Sequence, residues 1–449
     1  MENKNDPAVI NAWCMYDWAV SVYNLVITSA IFPIYFAKVA VNSSGGDIIN
    51  FLGFNVKNSV LYSYSLSFTF LLIAFVSPVL TAIADYSGHK KIFMRFFCTI
   101  GSLACSLLYF FETDTTTFAV FMFMLAGIGY SGSFVFYNSY LPEIATEDRF
   151  DSISAKGYSM GYIGSVLLLI LNLAMIMKPE FFGGISTSLA TRLSFLSVGL
   201  WWFGFAQYTF IRLPKDQIIH PTKEKGWVLN GFKKLGEVYR EIKEMPNVRQ
   251  YLLAFFFYNM AVQTVMLIAT VFAEKELHLP TAALIGTVLI LQLIAIAGAY
   301  LFARMSMRFG NIMSLSIMVG IWILICFGAY MVRDGYDFYL LATVVGLVMG
   351  GIQSLSRATY AKLIPRNSTE NASFFSFYEA VNSISIVCGT FAYGLIESFT
   401  GSPRNSIIAL GLFFVVGLLF LLKVVVPKAD DDDFVDIDRL KKVKIKSQE

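Results

Sequence analysis

Twelve long apolar runs follow one another along this chain of 449 residues and leave few alternatives for its fold. They lie near residues 12–38, 59–84, 92–111, 117–138, 154–177, 189–212, 250–273, 281–303, 312–332, 337–360, 373–397 and 404–426. A helix of about 20 apolar residues spans the hydrocarbon core of a bilayer. Only 14% of the residues are charged, too few to cover a soluble surface. The sequence therefore predicts an all-α polytopic membrane protein with twelve transmembrane helices.

The runs fall into two sets of six, separated by the longest internal polar stretch. We therefore expect a six-helix half over residues 1–212, a cytoplasmic linker over 213–249 and a second six-helix half over 250–427. The linker sequence from Trp227 to Met245 has the pattern of an amphipathic helix on the membrane surface. A charged cytoplasmic tail follows over residues 428–449.

The basic residues predict the orientation of the chain in the membrane. Most of the 34 Lys and Arg residues lie in segments on the same side as the N-terminus. Cytoplasmic loops carry an excess of Lys and Arg. We therefore expect a multi-pass protein of the cell (inner or plasma) membrane with both termini in the cytoplasm.

The two halves resemble each other, which indicates a duplication. Tyr137 and Pro142 near the end of the fourth run recur as Tyr360 and Pro365 near the end of the tenth. Duplicated halves are common in transporters, where the substrate site lies between them near the middle of the bilayer.

The loop after the second run reads T-A-I-A-D-Y-S-G-H-K-K from Thr81. It resembles the loop signature G-x-L-a-D-R-x-G-R-K of the major facilitator superfamily, and the matching residues are Asp85, Gly88, Lys90 and Lys91. The resemblance implies a gating loop in which Asp85 forms a breakable ionic latch with the two lysines. The alternative is a basic turn that only sets topology. The corresponding loop of the second half has Met307 where the acid would lie, so only the first half is expected to form a full latch.

Three further segments narrow the resemblance. They are Y-D-W-A-V-S-V-Y-N from Tyr16, Y-N-M-A-V-Q-T from Tyr258 and G-I-Q-S-L-S-R from Gly351. They resemble the bacterial major facilitator branch that is related to the vacuolar amino-acid effluxers of autophagy. The resemblance implies the major facilitator fold, with two six-helix halves around a central cavity. It also implies a non-enzymatic secondary transporter that moves amino acids or related metabolites by alternating access, with export favoured.

Polar residues inside the spans are the candidates for the cavity wall. Asp17, Ser21, Asn24, Thr28 and Tyr35 share one face of an α-helix. Such a face is costly in lipid, so we expect it to line a cavity or contact another helix. The substrate-cavity candidates are Asn24, Thr28, Tyr130, Asn259, Gln263 and Gln353. The alternative is that these side chains only hold neighbouring helices together by hydrogen bonds.

Few ionisable residues lie inside the spans, and a buried charge must be paired, solvated or neutralised. Asp17 and Glu379 are therefore the candidate proton carriers, with Arg357 and Lys156 as their partners or as anion anchors. We expect Asp17 to be the coupling residue, because it shares a face with Asn24. The alternative is a static ion pair.

Glycines in the fifth run predict close helix packing. Gly157, Gly161 and Gly164 have the small-residue spacing that lets two helices approach each other.

The sequence has no nucleotide-binding loop and no hydrolase signature. Its cysteines have no metal-type spacing. We therefore expect no cofactor, no metal site and no nucleic-acid partner. The expected partners are a small-molecule solute, a coupling proton or sodium ion and the lipid bilayer, and we expect a monomer. The alternative from another class is a non-transporting receptor or lipid-handling scaffold with the same fold.

Overall fold

The computed structural model describes residues 4–42, 45–216, 227–366 and 368–426. Within these residues, twelve helices are long and apolar enough to cross a membrane. This confirms the prediction of an all-α polytopic fold with twelve spans.

The first set of six spans contains every strand in the described part of the chain. Its elements are α1 (Pro7–Val22), a π-helical segment (Tyr23–Ile31), α2 (Phe32–Val39), β1 (Ile48–Phe51), β2 (Phe54–Lys57), α3 (Asn58–Ser87), α4 (Lys90–Leu107), α5 (Thr116–Ser139), α6 (Leu141–Ile144), α7 (Phe150–Met177) and α8 (Thr187–Arg212). The first span consists of α1, the π-helical segment and α2 in succession. The other five spans are α3, α4, α5, α7 and α8, and the two strands form an antiparallel hairpin after the first span.

The second set follows a helix in the linker. Its elements are α9 (Trp227–Glu244), α10 (Pro246–Leu277), α11 (Thr281–Phe309), α12 (Asn311–Met331), α13 (Gly335–Leu363), α14 (Asn371–Thr400) and α15 (Pro403–Leu421). Helices α10 to α15 are the seventh to twelfth spans.

Local sequence sets the ends of several helices. The side chain of Asp6 accepts a hydrogen bond from the backbone N–H of Ala8, and Pro7 occupies the first turn of α1. Both features are typical of helix N-termini. Helix α3 ends at Gly88, whose φ of 74° lies in the left-handed region that glycine adopts without strain. The turn between the second and third spans therefore depends on Gly88.

Each set of six spans packs mainly within itself. In the first set α1 packs against α7 and α8, and α4 packs against α5 and α8. In the second set α10 packs against α14 and α15, and α11 packs against α13. The two sets meet where α3 and α5 contact α14, and where α7 contacts α11 and α13. These helix pairs enclose the space between the two sets.

The linker helix α9 lies against α3 and also contacts α10 and α14. Val238 and Ile242 are buried on its inner side, whereas Lys233, Arg240 and Lys243 are exposed. Its position therefore connects the linker to both sets of spans. Residues 217–226 of the predicted linker and the predicted tail over 428–449 lie outside the described residues.

The π-helical segment interrupts the first span and changes which of its side chains share a face. A π-helix closes i→i+5 hydrogen bonds, so it needs more residues per turn than an α-helix. The α-helical periodicity that placed Tyr35 on the same face as Asn24 therefore does not hold beyond this segment. The hydroxyl of Tyr35 instead donates to the carbonyl of Phe111, 3.2 Å away and within the first set of spans. The same hydroxyl lies 3.0 Å from Oγ of Ser188 on α8, so Tyr35 contacts another helix, which is the second of the two expected positions for a polar side chain.

Candidate functional site

A cavity of about 210 Å³ lies between the two sets of spans. All six substrate-cavity candidates line it: Asn24, Thr28, Tyr130, Asn259, Gln263 and Gln353. Tyr158, Tyr162, Tyr258, Tyr378, Glu379 and Asn382 are further lining residues. The wall is therefore built mainly from amides, hydroxyls and aromatic rings.

Two hydrogen bonds position polar groups of the wall in the first set of spans. The amide of Asn24 donates to the hydroxyl of Tyr130 at 2.6 Å. The hydroxyl of Tyr162 on α7 donates to Oε1 of Gln353 on α13 at 2.7 Å. This second bond crosses between the two sets.

On the opposite wall, Asn259 donates from Nδ2 to Oδ1 of Asn382 (2.9 Å) and to Oγ of Ser385 (2.7 Å). Gln263 donates from Nε2 to Oδ1 of Asn259 at 3.3 Å. The two bonds of Asn259 hold α10 against α14, as expected if polar residues join neighbouring helices, whereas the bond of Gln263 lies within α10. The same side chains also line the cavity, so the two roles coexist.

The π-helical segment presents Asn24 and Thr28 to the cavity. Thr28 is buried, and its side chain interacts with the hydroxyl of Tyr23 in the same segment. Ser165 on α7 also lines the cavity and has a buried, unpartnered Oγ. Buried polar groups are normally paired. The hydroxyl of Ser165 is therefore an unsatisfied polar group in this wall.

An ion pair between Asp17 and Arg357 lies next to the cavity. Nη1 and Nη2 of Arg357 are each 3.3 Å from Oδ2 of Asp17. The hydroxyl of Tyr137 donates to the same oxygen at 2.6 Å. Both ionised side chains are almost fully buried, with 0% of Arg357 and 1% of Asp17 exposed. Asp17 therefore has Arg357 as its partner in this structure, and whether the pair is static stays open.

The guanidinium of Arg357 joins the two sets of spans. Its Nε donates to Oγ of Ser154 and its Nη2 to the Ser154 carbonyl, at 2.9 and 3.0 Å. Its Nη1 also donates to Oδ1 of Asn138 at 3.2 Å. The rings of Trp13 and Tyr158 lie 4.7 and 4.3 Å from the guanidinium carbon. Such aromatic faces attract a cation.

Glu379 lines the cavity and accepts two hydrogen bonds from amides. Asn138 donates to its Oε1 at 2.8 Å, and Asn382 donates to its Oε2 at 3.1 Å. Lys156, the other candidate cation, donates instead to Oδ1 of Asn11. Of the two predicted cations, only Arg357 forms an ion pair with a predicted proton carrier, and that carrier is Asp17.

Gly157 makes room for this ion pair. A Cβ added at Gly157 would lie 2.4 Å from Oδ2 of Asp17 and 3.0 Å from Nη2 of Arg357. Gly161 leaves similar room for Ser21, and Gly164 for Trp18. The glycine spacing therefore brings α7 against α1 at the level of the ion pair.

We expect Gly157→Ala to lower the melting temperature of the detergent-solubilised protein and to impair transport. Overpacking a tight interior typically costs about 1–3 kcal/mol, and here the added methyl group contacts charged atoms. Gly204→Ala on α8 is the matched control, because a Cβ there meets no atom within 4 Å. Equal melting temperatures for the two variants would show that α1 and α7 can separate without loss.

Polar contacts between the two sets cluster toward one end of the bundle. This end holds the described N-terminus, where the backbone N–H of Asn5 donates to the carbonyl of Ile144. We call it the terminal end. There Arg366 forms a two-bond ion pair with Glu147, at 2.6 and 2.8 Å.

The structure corrects the partners of the predicted Asp85 latch. Oδ2 of Asp85 accepts hydrogen bonds from the backbone N–H and the hydroxyl of Ser373, both at 2.7 Å. Ser373 lies in the first turn of α14, where free N–H groups and the helix dipole favour a carboxylate. Lys90 forms its ion pair with Glu143, and Nζ of Lys91 donates to the carbonyl of Leu213. Asp85 therefore connects the two sets of spans by hydrogen bonds, and it also interacts electrostatically with Lys90 of its own loop.

A second acid at the terminal end was not predicted from the sequence. Asp151 in the first turn of α7 is 1% exposed and accepts hydrogen bonds from Ser306 (2.7 Å) and Asn311 (2.9 Å). Lys362 forms an ion pair with it at 2.8 Å. All three partners belong to the second set of spans.

Asp151 supplies the acid that the second loop lacks. In the first half the acid lies at the end of α3 and contacts the start of α14. At the loop of the second half, the acid comes from the start of α7 in the first half and contacts Ser306 at the end of α11 and Asn311 at the start of α12. The second loop itself still has no acid, as expected from Met307, and both carboxylates that join the two sets here come from the first half. The signal was a carboxylate early in the fifth span, opposite the loop in which Met307 replaces the acid.

The chain matches the family described as "Vacuole effluxer Atg22 like" over residues 5–151 and 147–433. It is 30% identical over 417 residues to a Bacillus subtilis protein described as the uncharacterized MFS-type transporter YxiO. That match covers 92% of this chain and 93% of the relative. It is also 26% identical to autophagy-related protein 22-1 of Aspergillus terreus, covering 83% of this chain and 75% of that protein.

Solved structures with the same fold are transporters of the major facilitator superfamily. The transporter FucP in the outward conformation superposes with a TM-score of 0.66 at 13% identity, covering 94% of this chain and 99% of FucP. The proton:xylose symporter XylE superposes with a TM-score of 0.69 at 12% identity, covering 96% of this chain and 98% of XylE. At such low identities the likeness shows the fold alone.

Proposed function

Because this chain belongs to the Atg22-like vacuole effluxer family of major facilitator transporters, we propose that it exports a small organic solute by alternating access. One observation carries this proposal. A polar cavity lies between two sets of six spans, and interactions between those sets cluster at the terminal end. Breaking these interactions would give the cavity access to that side.

The distribution of basic residues supports placing the terminal end in the cytoplasm of a cell whose plasma membrane holds the protein. In that orientation the structure represents a state closed toward the cytoplasm. Export then requires the terminal end to open, accept a solute and close again. The resemblance of the three motif segments to the vacuolar amino-acid effluxers of autophagy favours amino acids or related metabolites as the solute.

Two acids form the proposed gate at the terminal end. Asp85 holds the start of α14, and Asp151 holds the loop between α11 and α12. Asp85 makes its contact by hydrogen bonds, and Asp151 by hydrogen bonds and an ion pair with Lys362; such contacts can break and re-form. The proposed gating loop also keeps Gly88, Lys90 and Lys91, with Lys90 paired to Glu143 in place of Asp85.

Glu379 is a better proposal for the proton carrier than Asp17. Asp17 already has a guanidinium partner and a phenol donor. Glu379 lines the cavity, and its two hydrogen-bond donors are neutral amides. A buried carboxylate without a cation can be neutralised by a proton. A proton gradient is therefore the proposed driving force in preference to sodium.

Cross-linking the terminal end should block transport if this end must open during the cycle. This can be tested by counterflow in proteoliposomes that contain a mixture of radiolabelled amino acids. The double variant Glu147→Cys and Arg366→Cys places thiols where an ion pair joins the two sets. A bifunctional methanethiosulfonate reagent should reduce counterflow to background, and a reductant should restore it. The long side chains of the native pair make a spaced reagent preferable to a direct disulfide.

The two single-cysteine variants are the matched controls, since each reacts without joining the sets. Counterflow that persists in the cross-linked protein would exclude alternating access through this end. Wild-type protein without solute-specific counterflow would instead support a receptor or lipid-handling scaffold.

A further inference from the structure

The buried network beside the cavity has one positive charge fewer than it has carboxylates. Asp17 and Glu379 are both at least 95% buried, and Asn138 connects them through hydrogen bonds to Arg357 and Glu379. Arg357 is the one cation of this network. With both acids ionised, the network carries a net charge of −1, which is costly in a buried site.

Arg357 has no N–H left to offer Glu379. A guanidinium has five N–H donors, and those of Arg357 are used by the carboxylate of Asp17, by Ser154 and by Asn138. Glu379 is therefore connected to the cation only through the amide of Asn138. A second positive charge must come from elsewhere.

The carboxylate of Glu379 can accept more than it does. An ionised carboxylate has about four acceptor positions, and each oxygen of Glu379 accepts one hydrogen bond from an amide. Glu379 is also the one ionised side chain among the described residues that line the cavity. Its remaining acceptor positions are therefore next to the cavity, and no other charged side chain of the described cavity wall competes for them.

The titratable groups around Glu379 do not supply the missing charge. They are Tyr130 of α5, Tyr158 of α7, Tyr258 of α10 and Tyr378 of α14, with Arg357 of α13 beyond Asn138. Asp85 of α3 is bound to Ser373, six positions before Glu379 on α14. Phenols are neutral near pH 7, and their ring faces attract cations. These groups can stabilise a positively charged ligand, and they include no cation next to the cavity that could pair with an anion.

We propose that the exported solute carries an ammonium group, which binds Glu379 and competes there with a proton. This inference rests on the proposed transport function and names its substrate class: a small zwitterionic or cationic amine, with anions refused. The unpartnered hydroxyl of Ser165 would contact the polar remainder of the solute.

The exchange is balanced in charge at the carboxylate. When Glu379 releases its proton, the carboxylate pairs with the ammonium group. When the ammonium group leaves, a proton from the other side of the membrane takes its place. One proton therefore enters for each ammonium group exported, and no covalent step is needed.

Three compounds that share a phenyl group separate amine recognition from the rest of the solute. They are phenethylamine, which is a cation, phenylalanine, which is a zwitterion, and 3-phenylpropionate, which is an anion. Ligands that bind the folded state raise the melting temperature of the purified protein. Phenethylamine and phenylalanine should raise it in a saturable manner, and 3-phenylpropionate should not. Raising the pH should lower the concentration needed, because fewer protons compete.

Glu379→Gln should weaken the response to both amines by about tenfold or more, as expected for loss of a hydrogen bond to a charged group. Glu397→Gln is the matched control, since it makes the same change on the same helix about five turns away. An equal response to 3-phenylpropionate, an unchanged response in Glu379→Gln, or no response to either amine would overturn the inference.

Failure of this inference and failure of the transport proposal give different results. Amino-acid counterflow without any amine-dependent stabilisation would leave transport standing and remove the ammonium site. Amine-dependent stabilisation without counterflow would keep the ammonium site and remove transport.

Discussion

Replacing Arg357 with methionine should reduce the yield of folded protein and lower its melting temperature more than Gly157→Ala does. The substitution removes the guanidinium that pairs with Asp17 and bonds Ser154 and Asn138. Breaking a buried ion pair by removing one partner typically costs about 3–5 kcal/mol. It leaves the Asp17 carboxylate with the hydroxyl of Tyr137 as its remaining donor. Melting temperature and monodispersity in detergent provide the measurement.

Two comparisons make this result specific. Arg304→Met removes an exposed arginine from α11 and should have little effect. The double variant Asp17→Asn and Arg357→Met should recover part of the loss, because it no longer buries an unpaired charge. If Arg357→Met melted at the same temperature as Arg304→Met, the ion pair would make no contribution to the fold.

Replacing Glu379 with glutamine should abolish solute accumulation driven by a pH gradient. The amide cannot bind or release a proton, so a gradient of protons no longer performs work on the solute. Counterflow should continue only at about tenfold higher solute concentrations, because the ammonium group loses its charged partner. The measurement is uptake of labelled phenylalanine into proteoliposomes, with and without an imposed gradient.

Glu397→Gln again provides the control, and it should retain accumulation driven by the gradient. Asp17→Asn separates the two carboxylates that the sequence presented as proton carriers. Persistent gradient-driven accumulation in Glu379→Gln, together with its loss in a well-folded Asp17→Asn protein, would return the coupling role to Asp17.

The twelve spans could be predicted because a bilayer requires a long apolar run for each helix. The six substrate-cavity candidates could be found for a related reason. Amides and phenols inside apolar runs must face protein or water, and two matching halves direct them toward the space between. Asn24, Asn259 and Gln353 could be selected in this way without coordinates. Their hydrogen-bond partners could not.

The π-helical segment cannot be found from a pattern that assumes 3.6 residues per turn. Asn24 and Thr28 are four positions apart, so an α-helical face groups them correctly. Tyr35 lies beyond the segment, so α-helical periodicity no longer relates its direction to that of Asn24. Backbone hydrogen bonding determines this change, and the side-chain pattern of the first span contains no separate signal for it.

The partners of the buried acids required tertiary structure. Asp17 and Arg357 are 340 positions apart and belong to different sets of spans. Sequence spacing therefore could not choose between Arg357 and Lys156 as the cation. Asp151 was missed for a similar reason. Its partners are Ser306, Asn311 and Lys362, and their approach depends on how α7 packs against the second set.

The side-chain amide of Asn138 couples the Asp17–Arg357 ion pair to Glu379, because it forms a hydrogen bond with each of them. Its Oδ1 accepts from Arg357, while its Nδ2 donates to Glu379. A change of charge at Glu379 therefore alters the free energy of the contact that joins the two sets of spans. Linkage makes this coupling reciprocal. If binding of a proton or solute favours opening of the ion pair by a certain free energy, opening of the ion pair favours that binding by the same free energy. In the proposed carrier, this one amide would couple occupancy of the cavity to the ion pair between the two sets, and the state of that ion pair to the cavity.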